Sequence, residues 1–542
     1  MSSLDPLGAA LERTVPAQER HGRGQYFTPD ALVRFVLDLV AEGGEHPLKV
    51  LDPACGSGRF LLGAKERWGE ENLELFGYET DPEARGHALQ QVGAASISER
   101  SFLAAGEVTQ VDLVVGNPPY IRRRGAKRDI YVDFIERSFD HLGDGGRLAF
   151  VLSNAWLSVG YGRCVRELLL ERFAVEWIIE SVVESWFPGA SVNTMILVAR
   201  RCDDPAERAR QAVRFAHLCS PLPAQPQLVR AIPQGRLRTG DAWAPLLRAP
   251  DLFLELSDSV QTSALGKLAG VHRGFTTNDN AFFYPPPDSG VEEEFLQPLV
   301  KGPRDFPGLR CRSSELPHRV LLCDEQWEDL RGSRAKGLRR WLRKHSRGRN
   351  ASSWRLRPQE RARLLLAKGY HDRFRQALSD ESVYVDQQIY GVHPLGGRDA
   401  TVMAALLNSA WFQLALELTG RVNFGDGVLW LGLQDARERL TLPDPLLWSA
   451  DQQERLMAAF SALPGGRIPA LGELRADSVW SAPRERLDRE LASALGVGWP
   501  EYVALQAHGE VLCARRISLA AGRRSSRKLQ SSALREGGSR TA

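Results

Sequence analysis

Short apolar runs alternate with longer amphipathic stretches between residues 30 and 200 of the chain. The apolar runs predict buried strands at residues 48–51, 73–78, 111–116, 147–152, 175–179 and 193–199. Between them, apolar positions three and four apart predict helices at residues 30–41, from 59, from 82, 131–141 and 160–172. Such alternation is typical of an α/β fold with a mostly parallel, doubly wound sheet.

The pattern changes after residue 200. Prolines at positions 221, 223, 226, 233 and 245 interrupt it and predict a linker with small elements over residues 206–258. Mixed strand and helix patterns then predict a second domain over residues 259–510, with a helical part from 451. Residues 511–542 hold eight Lys or Arg against one Glu and predict a disordered basic tail. With an amino-terminal extension over 1–20, the first domain takes residues 21–205.

A glycine-rich segment, Asp52-Pro53-Ala54-Cys55-Gly56-Ser57-Gly58, follows the first predicted strand. Its glycines allow the backbone to turn tightly and approach a ligand before a helix begins near Arg59. Position 61 is Leu61, so the third glycine of a dinucleotide-binding fingerprint is missing. The second strand delivers Glu79, whose carboxylate can accept hydrogen bonds from both hydroxyls of a ribose. Together these features predict a nucleotide-type cofactor, a class that includes S-adenosylmethionine.

The strand at residues 111–116 ends in Asn117-Pro118-Pro119-Tyr120. The Asn117 side-chain oxygen and the Pro118 carbonyl are two acceptors that can hold the two N–H donors of one amine. The ring of Tyr120 can cover the face of the planar group that carries this amine. Standing alone, the tetrapeptide is explained as well by an ordinary turn, because Asn and Pro are common turn residues. Its place behind the glycine-rich segment favours a site for the exocyclic amine of a base.

In this order and spacing, residues 52–60, 77–82 and 117–120 resemble the TaqI-type, gamma-class adenine-N6 DNA methyltransferases of restriction–modification systems. Residues 22–30 resemble the amino-terminal cofactor motif of that family, and the match covers residues 20–200. The resemblance implies a Rossmann-like class I domain that uses S-adenosyl-L-methionine and no metal. It also implies a mixed α+β target-recognition domain, on looser similarity at residues 271–282, 387–390 and 406–409. There the polar loop from Thr276 to Asn280 is a candidate for reading base edges, and turn chemistry explains it equally well.

The resemblance further implies roles for individual residues of the cofactor pocket. Thr28 would contact the methionine part of the cofactor, with Asp52 and Ala54 lining the same pocket and Glu79 holding the ribose. The remaining residues expected to border the cofactor are Gly56, Gly58, Ser101, Phe102 and Asn117. Where the family has an acid and an apolar residue around the cofactor adenine, this chain has Ser101-Phe102. The hydroxyl of Ser101 departs from the pattern and is a weaker acceptor than a carboxylate.

For the target base, the resemblance implies that residues Asn117 to Tyr120 hold and stack it from one side. Phe187 is assigned to stacking on the other face of the base, and the adjacent Trp186 is an alternative for that role. Both aromatic residues could instead belong to the core at a strand edge. Because an amine inside a duplex cannot reach such a pocket, the base is expected to be flipped out.

The function implied is methylation of adenine N6 in double-stranded DNA, paired with a separate restriction endonuclease. Cytosine N4 presents a similar amine, and the choice of adenine rests on the resemblance. Two other functions stay open, namely methylation of an RNA base or a protein glutamine, and a non-catalytic DNA-binding subunit that retains the fold.

The net charge of +3 is too small to indicate nucleic-acid binding by itself. Its distribution is uneven, however. Five basic residues follow the tetrapeptide directly: Arg122, Arg123, Arg124, Lys127 and Arg128. Residues 331–349 contain nine Lys or Arg and no acid. Both clusters are predicted to contact phosphates, with a solvated basic face as the alternative for either cluster alone.

Seven cysteines form no C-x-x-C pair and no Cys/His cluster, which argues against a zinc site and against a disulfide framework. The amino terminus lacks a basic region followed by an apolar stretch, and no run of eighteen apolar residues occurs. We therefore expect a cytoplasmic protein that does not enter a membrane. A monomer is the default that the resemblance implies.

Overall fold

The computed structural model describes residues 4–5, 27–41, 49–71, 73–93, 95–106, 108–120, 128–158, 162–184, 186–187, 193–306, 308–325, 329–330, 334–345, 356–357, 359–422 and 427–537. The chain divides into two compact units. The first unit comprises residues 1–248 and 519–542, and the second comprises residues 249–518.

The first unit is built on a nine-stranded sheet with strand order β3-β2-β1-β4-β5-β7-β6-β8-β9. Its strands are β1 (Lys49–Asp52), β2 (Glu74–Tyr78), β3 (Ser96–Ser98), β4 (Val111–Gly116), β5 (Leu142–Ser153), β6 (Phe173–Ser181), β7 (Thr194–Arg201), β8 (Ala212–Leu218) and β9 (Gln227–Pro233). The pairs from β3 to β5 are parallel, β7 runs antiparallel to both neighbours, and β9 is antiparallel to β8. The predicted mostly parallel sheet is confirmed.

Helices cover both faces of this sheet. They are α1 (Asp30–Ala41), α2 (Arg59–Trp68), α3 (Pro82–Val92), α4 (Ile130–His141), α5 (Arg163–Arg172), α6 (Pro205–Arg210) and α7 (Ala244–Arg248). Apolar side chains of α1, α2 and α3 form one hydrophobic core, and those of α4, α5 and α7 form another. The central strands, such as β5 and β7, therefore bury both of their faces, which explains why these strands form continuous apolar runs in the sequence.

The linker expected over residues 206–258 is wrong, because β8 and β9 extend the sheet within it. The inward side chains Val213 and Phe215 of β8 are fully buried. The prolines interrupt no ladder: three lie in the turn between β8 and β9, Pro233 ends β9, and Pro245 lies in the first turn of α7, where no hydrogen bond is lost. The first unit accordingly extends to residue 248 and not to 205.

The second unit contains a larger mixed sheet of order β11-β18-β15-β17-β12-β14, with β13 paired to β17. Two small sheets, β10-β21 and β16-β20-β19, accompany it. The strands are β10 (Thr262–Ala264), β11 (Ala269–Arg273), β12 (Leu296–Val300), β13 (Arg310–Cys311), β14 (His318–Leu321), β15 (Ala362–Ala367), β16 (Gly369–Tyr370), β17 (Ala377–Val385), β18 (Ile389–Pro394), β19 (Arg421–Val422), β20 (Leu429–Trp430) and β21 (Thr441–Pro443).

The helices that follow are α8 (Asp251–Ser257), α9 (Leu265–Leu268), α10 (Asn280–Phe283), α11 (Lys336–His345), α12 (Ala400–Leu407), α13 (Ala410–Thr419), α14 (Leu433–Glu438), α15 (Ala450–Ser461), α16 (Ser481–Leu495) and α17 (Trp499–Gly537). The core of the second unit is formed around the nearly all-apolar α12 and α13. The mixed α+β composition and the helical part from residue 451 are as expected.

The disordered tail expected from residue 511 is not what the structure shows, since α17 continues to Gly537. Ala, Leu and Arg are good helix formers, and this segment is rich in them. One of the basic residues counted toward a solvated tail, Arg516, is 7 % exposed and pairs with Glu417, with Nη2 2.7 Å from Oε1. A count of charges in the sequence cannot distinguish a buried, paired arginine from a solvated one.

Within the described residues, no single helix has the length and apolar composition needed to cross a membrane. Among the helix pairs in the described part of the chain, α12 and α13 pass that test together, and they are bent by 65°.

Candidate active site

Three neighbouring strands carry the predicted site at their carboxyl ends. In the order β2-β1-β4, Glu79 follows β2, Asp52 ends β1 and Asn117 follows β4. The strands are parallel, so their carboxyl ends meet at one edge of the sheet. Ligands of open α/β sheets bind at this edge.

The glycine-rich segment forms a turn that brings backbone N–H groups toward Glu79. Gly56 and Gly58 have φ of 55° and 93°, in the left-handed region that favours glycine. A Cβ on Gly58 would lie 2.8 Å from Val92 Cγ2, so glycine also permits close packing against α3. The Gly56 N–H donates to Glu79 Oε2 at 2.9 Å, which ties the turn to the end of β2.

Two backbone hydrogen bonds fix the orientation of the Glu79 carboxylate. Its Oε1 accepts from the Asp81 N–H at 2.7 Å, while Oε2 accepts from Gly56. Burial raises the pKa of Glu79 above its ordinary value, and the two backbone N–H donors oppose that rise. Each carboxylate oxygen keeps a second lone pair, so the group can still accept hydrogen bonds from two hydroxyls.

Asp52 is a buried carboxyl group at the centre of the edge, only 2 % exposed. Its Oδ1 accepts from the Ala54 N–H at 3.0 Å. Burial raises the pKa of Asp52 to about 8, with the Ala54 hydrogen bond opposing the rise and the nearby Glu79 charge adding to it. A Cβ on Gly116, the last residue of β4, would lie 2.7 Å from Asp52 Oδ1. The two strand ends can approach this closely only because position 116 is glycine.

The loop before α1 and the loop after β4 are joined through side chains. Asn117 Nδ2 donates to Thr28 Oγ1 at 3.1 Å, and Thr28 is buried. The Tyr120 hydroxyl donates to Asn117 Oδ1 and lies 3.1 Å from the Val151 carbonyl oxygen. The structure therefore brings the residue predicted to contact the cofactor next to the residue predicted to hold the amine.

Sequence reasoning missed one residue that organises this region. Asp5 is fully buried and accepts from Arg59 Nε at 2.9 Å, from Gln91 Nε2 at 2.7 Å and from the Ser57 hydroxyl. Arg59 in turn donates from Nη1 to the Thr28 carbonyl at 2.8 Å. Asp5 thus connects the glycine-rich turn with α3 and, through Arg59, with the loop before α1. The sequence places Asp5 in the amino-terminal extension over residues 1–20 and assigns it no role. The available signal was Arg59, a basic residue directly after the glycine-rich turn that needs a counter-ion.

Ser101 and Phe102 take different positions at the end of the third strand. Phe102 is 1 % exposed, and its ring packs against Tyr78 and Phe134 with centroids 5.2 and 5.6 Å away. It belongs to the hydrophobic core under the end of β2. Ser101, directly before it, is half-buried and begins a short 3-10 turn.

Trp186 and Phe187 are both buried, with 6 % and 5 % of their surface exposed, in the core that contains α1. In this conformation Phe187 does not present a ring face to solvent, as stacking on a target base would require. Residues 188–192, which follow it, lie outside the described residues.

Of the basic cluster after the tetrapeptide, only Arg128 falls within the described residues; Arg122, Arg123, Arg124 and Lys127 do not. Arg128 pairs with two acids of α4, since its Nη2 lies 2.5 Å from Asp133 Oδ1 and 3.0 Å from Glu136 Oε2. Its charge is therefore already engaged by the protein.

The second basic cluster forms an amphipathic helix, α11. Leu338, Trp341 and Leu342 are buried on one side, whereas Lys336 and Lys344 are exposed. The basic residues from 346 to 349 and Arg331 lie outside the described residues.

The loop predicted to read base edges is held by its own turn chemistry. Asp279 accepts from the Phe282 N–H at 3.1 Å and caps α10, while the Thr277 hydroxyl donates to Asn280 Oδ1. Asn278 has a φ of 56°, and it is the residue type that best tolerates that region after glycine.

Comparison with known proteins gives the family context of this site. Residues 66–187 match the family model of the Eco57I restriction-modification methylases. The chain is 27% identical over 357 residues to the type II methyltransferase M.XamI of Xanthomonas campestris pv. amaranthicola, covering 59% of this chain and 63% of that protein. It is 28% identical over 232 residues to the type II methyltransferase M.PaeR7I of Pseudomonas aeruginosa, covering 33% and 40% respectively. The chain thus spans less than two thirds of the length of these curated relatives.

Among solved structures, the type IIL restriction-modification enzyme MmeI aligns with a TM-score of 0.50 at 13% identity, covering 94% of this chain and 78% of that one. At this identity the alignment shows the fold alone, an α/β domain followed by a further domain. Over these matched parts, the chain is similar to restriction–modification methyltransferases.

Proposed function

We propose that the chain is a site-specific DNA methyltransferase that transfers a methyl group from S-adenosylmethionine to N6 of an adenine flipped out of the duplex. The observation that carries the proposal is the chain of hydrogen bonds from Thr28 through Asn117 to Tyr120. These bonds link the loop expected to face the cofactor with the loop expected to face the amine.

The polar groups at the strand ends fit S-adenosylmethionine. Glu79 offers carboxylate lone pairs to the two ribose hydroxyls, and nothing lies within 4 Å of a Cβ built on Gly56, so the turn leaves room for a ligand. Asp52 and Thr28 border the same edge and would face the methionine part. When bound, the cofactor supplies an electrophilic methyl group on a sulfonium sulfur.

Asn117 would bind and orient the target amine. Its Oδ1 accepts from Tyr120, and because an amide oxygen has two lone pairs it can also accept from an amine N–H, with the Pro118 carbonyl as the second acceptor. An adenine amine is a poor nucleophile, because its lone pair is delocalised into the ring. Holding both protons with acceptors outside the ring plane draws the lone pair toward the methyl group. Orientation of this kind can contribute roughly 7–11 kcal/mol, so no covalent intermediate is required.

Tyr120 would cover the flipped base. Flipping costs a few kcal/mol, and stacking on an aromatic ring returns about 1–3 kcal/mol per base. The hydrogen bond to Asn117 fixes the Tyr120 ring beside the acceptors, so the base can contact the ring and the acceptors together.

The biological partners follow from the same proposal. Double-stranded DNA is the substrate, and a separate restriction endonuclease is the enzyme against which methylation protects. Cytosine N4 is the second candidate target, because the two acceptors fit either amine. Adenine is favoured by the resemblance of the Asn-Pro-Pro-Tyr segment to the adenine-N6 family.

The test is to incubate the purified chain with tritiated S-adenosylmethionine and unmethylated genomic DNA, digest the DNA and separate the nucleosides. Label in N6-methyldeoxyadenosine is the expected result. Label in N4-methyldeoxycytidine would retain the mechanism and overturn the base. No label in DNA under conditions where the cofactor binds would reject a DNA substrate.

A further inference from the structure

Three side chains far apart in the sequence meet on the main sheet of the second unit. His272 lies on β11, His393 lies on β18, and Glu360 lies two residues before β15. Their ligand atoms all lie within 4.8 Å of one another. Glu360 contacts both rings, with Oε2 3.6 Å from His272 Nε2 and Oε1 3.3 Å from His393 Nδ1.

The strand register makes this meeting possible. β11 and β18 are antiparallel neighbours, with Gly270 opposite His393 and Gly391 opposite His272. Each histidine therefore faces a residue without a side chain, which leaves room for its ring. A Cβ on Gly270 would lie 3.1 Å from His272 Nε2, and one on Gly391 would lie 3.5 Å from His393 Nε2. The two rings stand at 73° with centroids 5.3 Å apart, so they meet edge to face around a shared space.

We propose that His272, Glu360 and His393 bind one divalent transition-metal ion, represented by zinc. Ligand nitrogen and oxygen atoms about 2.0–2.2 Å from a tetrahedral ion are separated by roughly 3.3–3.6 Å. The two nitrogen–oxygen separations fall in this range and involve different oxygens of Glu360, 3.3 Å from His393 Nδ1 to Oε1 and 3.6 Å from His272 Nε2 to Oε2. One ligand atom from each residue lies within 4.8 Å of the other two, so small side-chain rotations would close the three ligands around one ion. Two imidazoles and one carboxylate suit zinc, copper, nickel or iron rather than magnesium or calcium.

The solvent exposure of the cluster is compatible with ion access. The Glu360 and His272 side chains are 60% and 49% exposed, whereas His393 is 20% exposed. Three protein ligands leave a fourth position of a tetrahedral ion for water. The ion would link β11, β18 and the segment before β15, and would stabilise the folded second unit by mass action. A sequence search for Cys/His clusters misses this arrangement, because its ligands come from three separate segments without cysteine.

The test uses the full chain without a histidine tag, stripped with EDTA and dialysed. Co²⁺ serves as the probe because its visible absorption reports ligand type, and Zn²⁺ competes for the same site. We expect one Co²⁺ per chain with no thiolate-to-cobalt charge-transfer band, and a Tm that rises with added Zn²⁺. No bound Co²⁺, or a thiolate band from one of the seven cysteines, would overturn the assignment.

Variants locate the ion. His272→Gln, Glu360→Gln and His393→Gln should each lower the Zn²⁺ affinity at least about tenfold, while their Tm in EDTA stays at the wild-type value. The matched control is His318→Gln, since His318 also lies 3.6 Å from a carboxylate, Asp305, in a plain ion pair. Unchanged affinity in the three variants, or an equal loss in the control, would leave only His–Glu ion pairs at this surface. If a variant does not fold, the cobalt spectrum of the wild-type chain still decides.

Discussion

Both ends of the Asn117 amide are engaged by neighbours. Nδ2 donates to Thr28 Oγ1 at 3.1 Å and Oδ1 accepts from the Tyr120 hydroxyl, so the oxygen is fixed on the tyrosine side. The family resemblance implied that these three residues share one site. It did not predict the connection, because hydrogen bonds between residues so far apart depend on rotamers that spacing does not specify. For the same reason the buried carboxyl group of Asp5 was missed.

Replacement of Tyr120 separates its two proposed tasks. Tyr120→Phe keeps the ring and removes the hydrogen bond to Asn117, so duplex binding should stay near the wild-type value while turnover falls. Tyr120→Ala removes the ring as well and should weaken binding to a normal site more than binding to a site with a mismatch at the target, where flipping is cheaper. Binding titrations with the two duplexes make the comparison. Equal losses on both duplexes would contradict stacking by Tyr120.

The Asp52 carboxyl gives a pH dependence with a definite sign. Burial raises the pKa of Asp52 to about 8, whereas an aspartate in an unfolded chain has a pKa of about 3.9. The folded state therefore holds the proton more tightly, and the stability it contributes is present at low pH and lost as the pH rises through about 8. Between about pH 5 and pH 8, the Tm of the wild-type chain should fall more steeply than that of Asp52→Asn.

The control for this measurement is Asp144→Asn, which removes an exposed carboxylate of the same unit. Its Tm profile should run parallel to the wild-type profile. A parallel profile for Asp52→Asn as well would show that Asp52 titrates normally.

At the scale of elements, the site depends on the close approach of β1 and β4 at their carboxyl ends. All six strands predicted in the first domain are present, because strands buried in the centre of a sheet leave an unambiguous apolar signal. The strands β8 and β9 were missed because prolines around them were read as breaks, although those prolines occupy turns and ends. The number of prolines in a segment does not show whether they lie inside a strand or in the turns beside it.

Gly116→Ala directly tests the close packing of β1 against β4. Its added Cβ would lie 2.7 Å from Asp52 Oδ1, in a place where backbone and carboxyl group cannot easily move. We expect a loss of about 1–3 kcal/mol in the free energy of unfolding and a lower affinity for S-adenosylmethionine. Chemical denaturation and equilibrium cofactor binding measure the two effects.

The matched variant is Gly106→Ala, since nothing lies within 4 Å of a Cβ at that position. It should leave both quantities unchanged. A Gly116→Ala chain as stable as Gly106→Ala would argue against tight packing at the strand ends.

At the scale of the whole molecule, we propose that the first unit carries the catalytic site and that the second unit recognises DNA. Net charge says little about this, because some basic residues pair with acids of the protein itself, Arg128 at the surface and Arg516 in the interior. The exposed lysines of α11 differ, since Lys336 and Lys344 lie on the solvent side of an amphipathic helix. The sequence predicted the cluster, and the structure separates its buried apolar side from its exposed basic side.

If α11 contacts phosphates, its charges contribute to the salt dependence of DNA binding. The double variant Lys336→Gln/Lys344→Gln should reduce the slope of log K against log salt concentration by about 2, because each phosphate contact contributes roughly 0.9. Lys301→Gln/Arg486→Gln removes two exposed charges elsewhere in the second unit and should leave the slope nearly unchanged. The same slope for both variants would place DNA away from α11.

The most direct test of the central claim is single-turnover methyl transfer by Asn117→Ala, measured beside its affinity for S-adenosylmethionine. If Asn117 holds the amine of a flipped adenine, the transfer rate to DNA should fall at least about a hundredfold, comparable to the loss of one preorganised polar contact in other active sites. Cofactor affinity should stay close to that of the wild-type chain. A variant that still methylates DNA at the wild-type rate, or whose loss is explained by weaker cofactor binding, would contradict the assignment of the amine to Asn117.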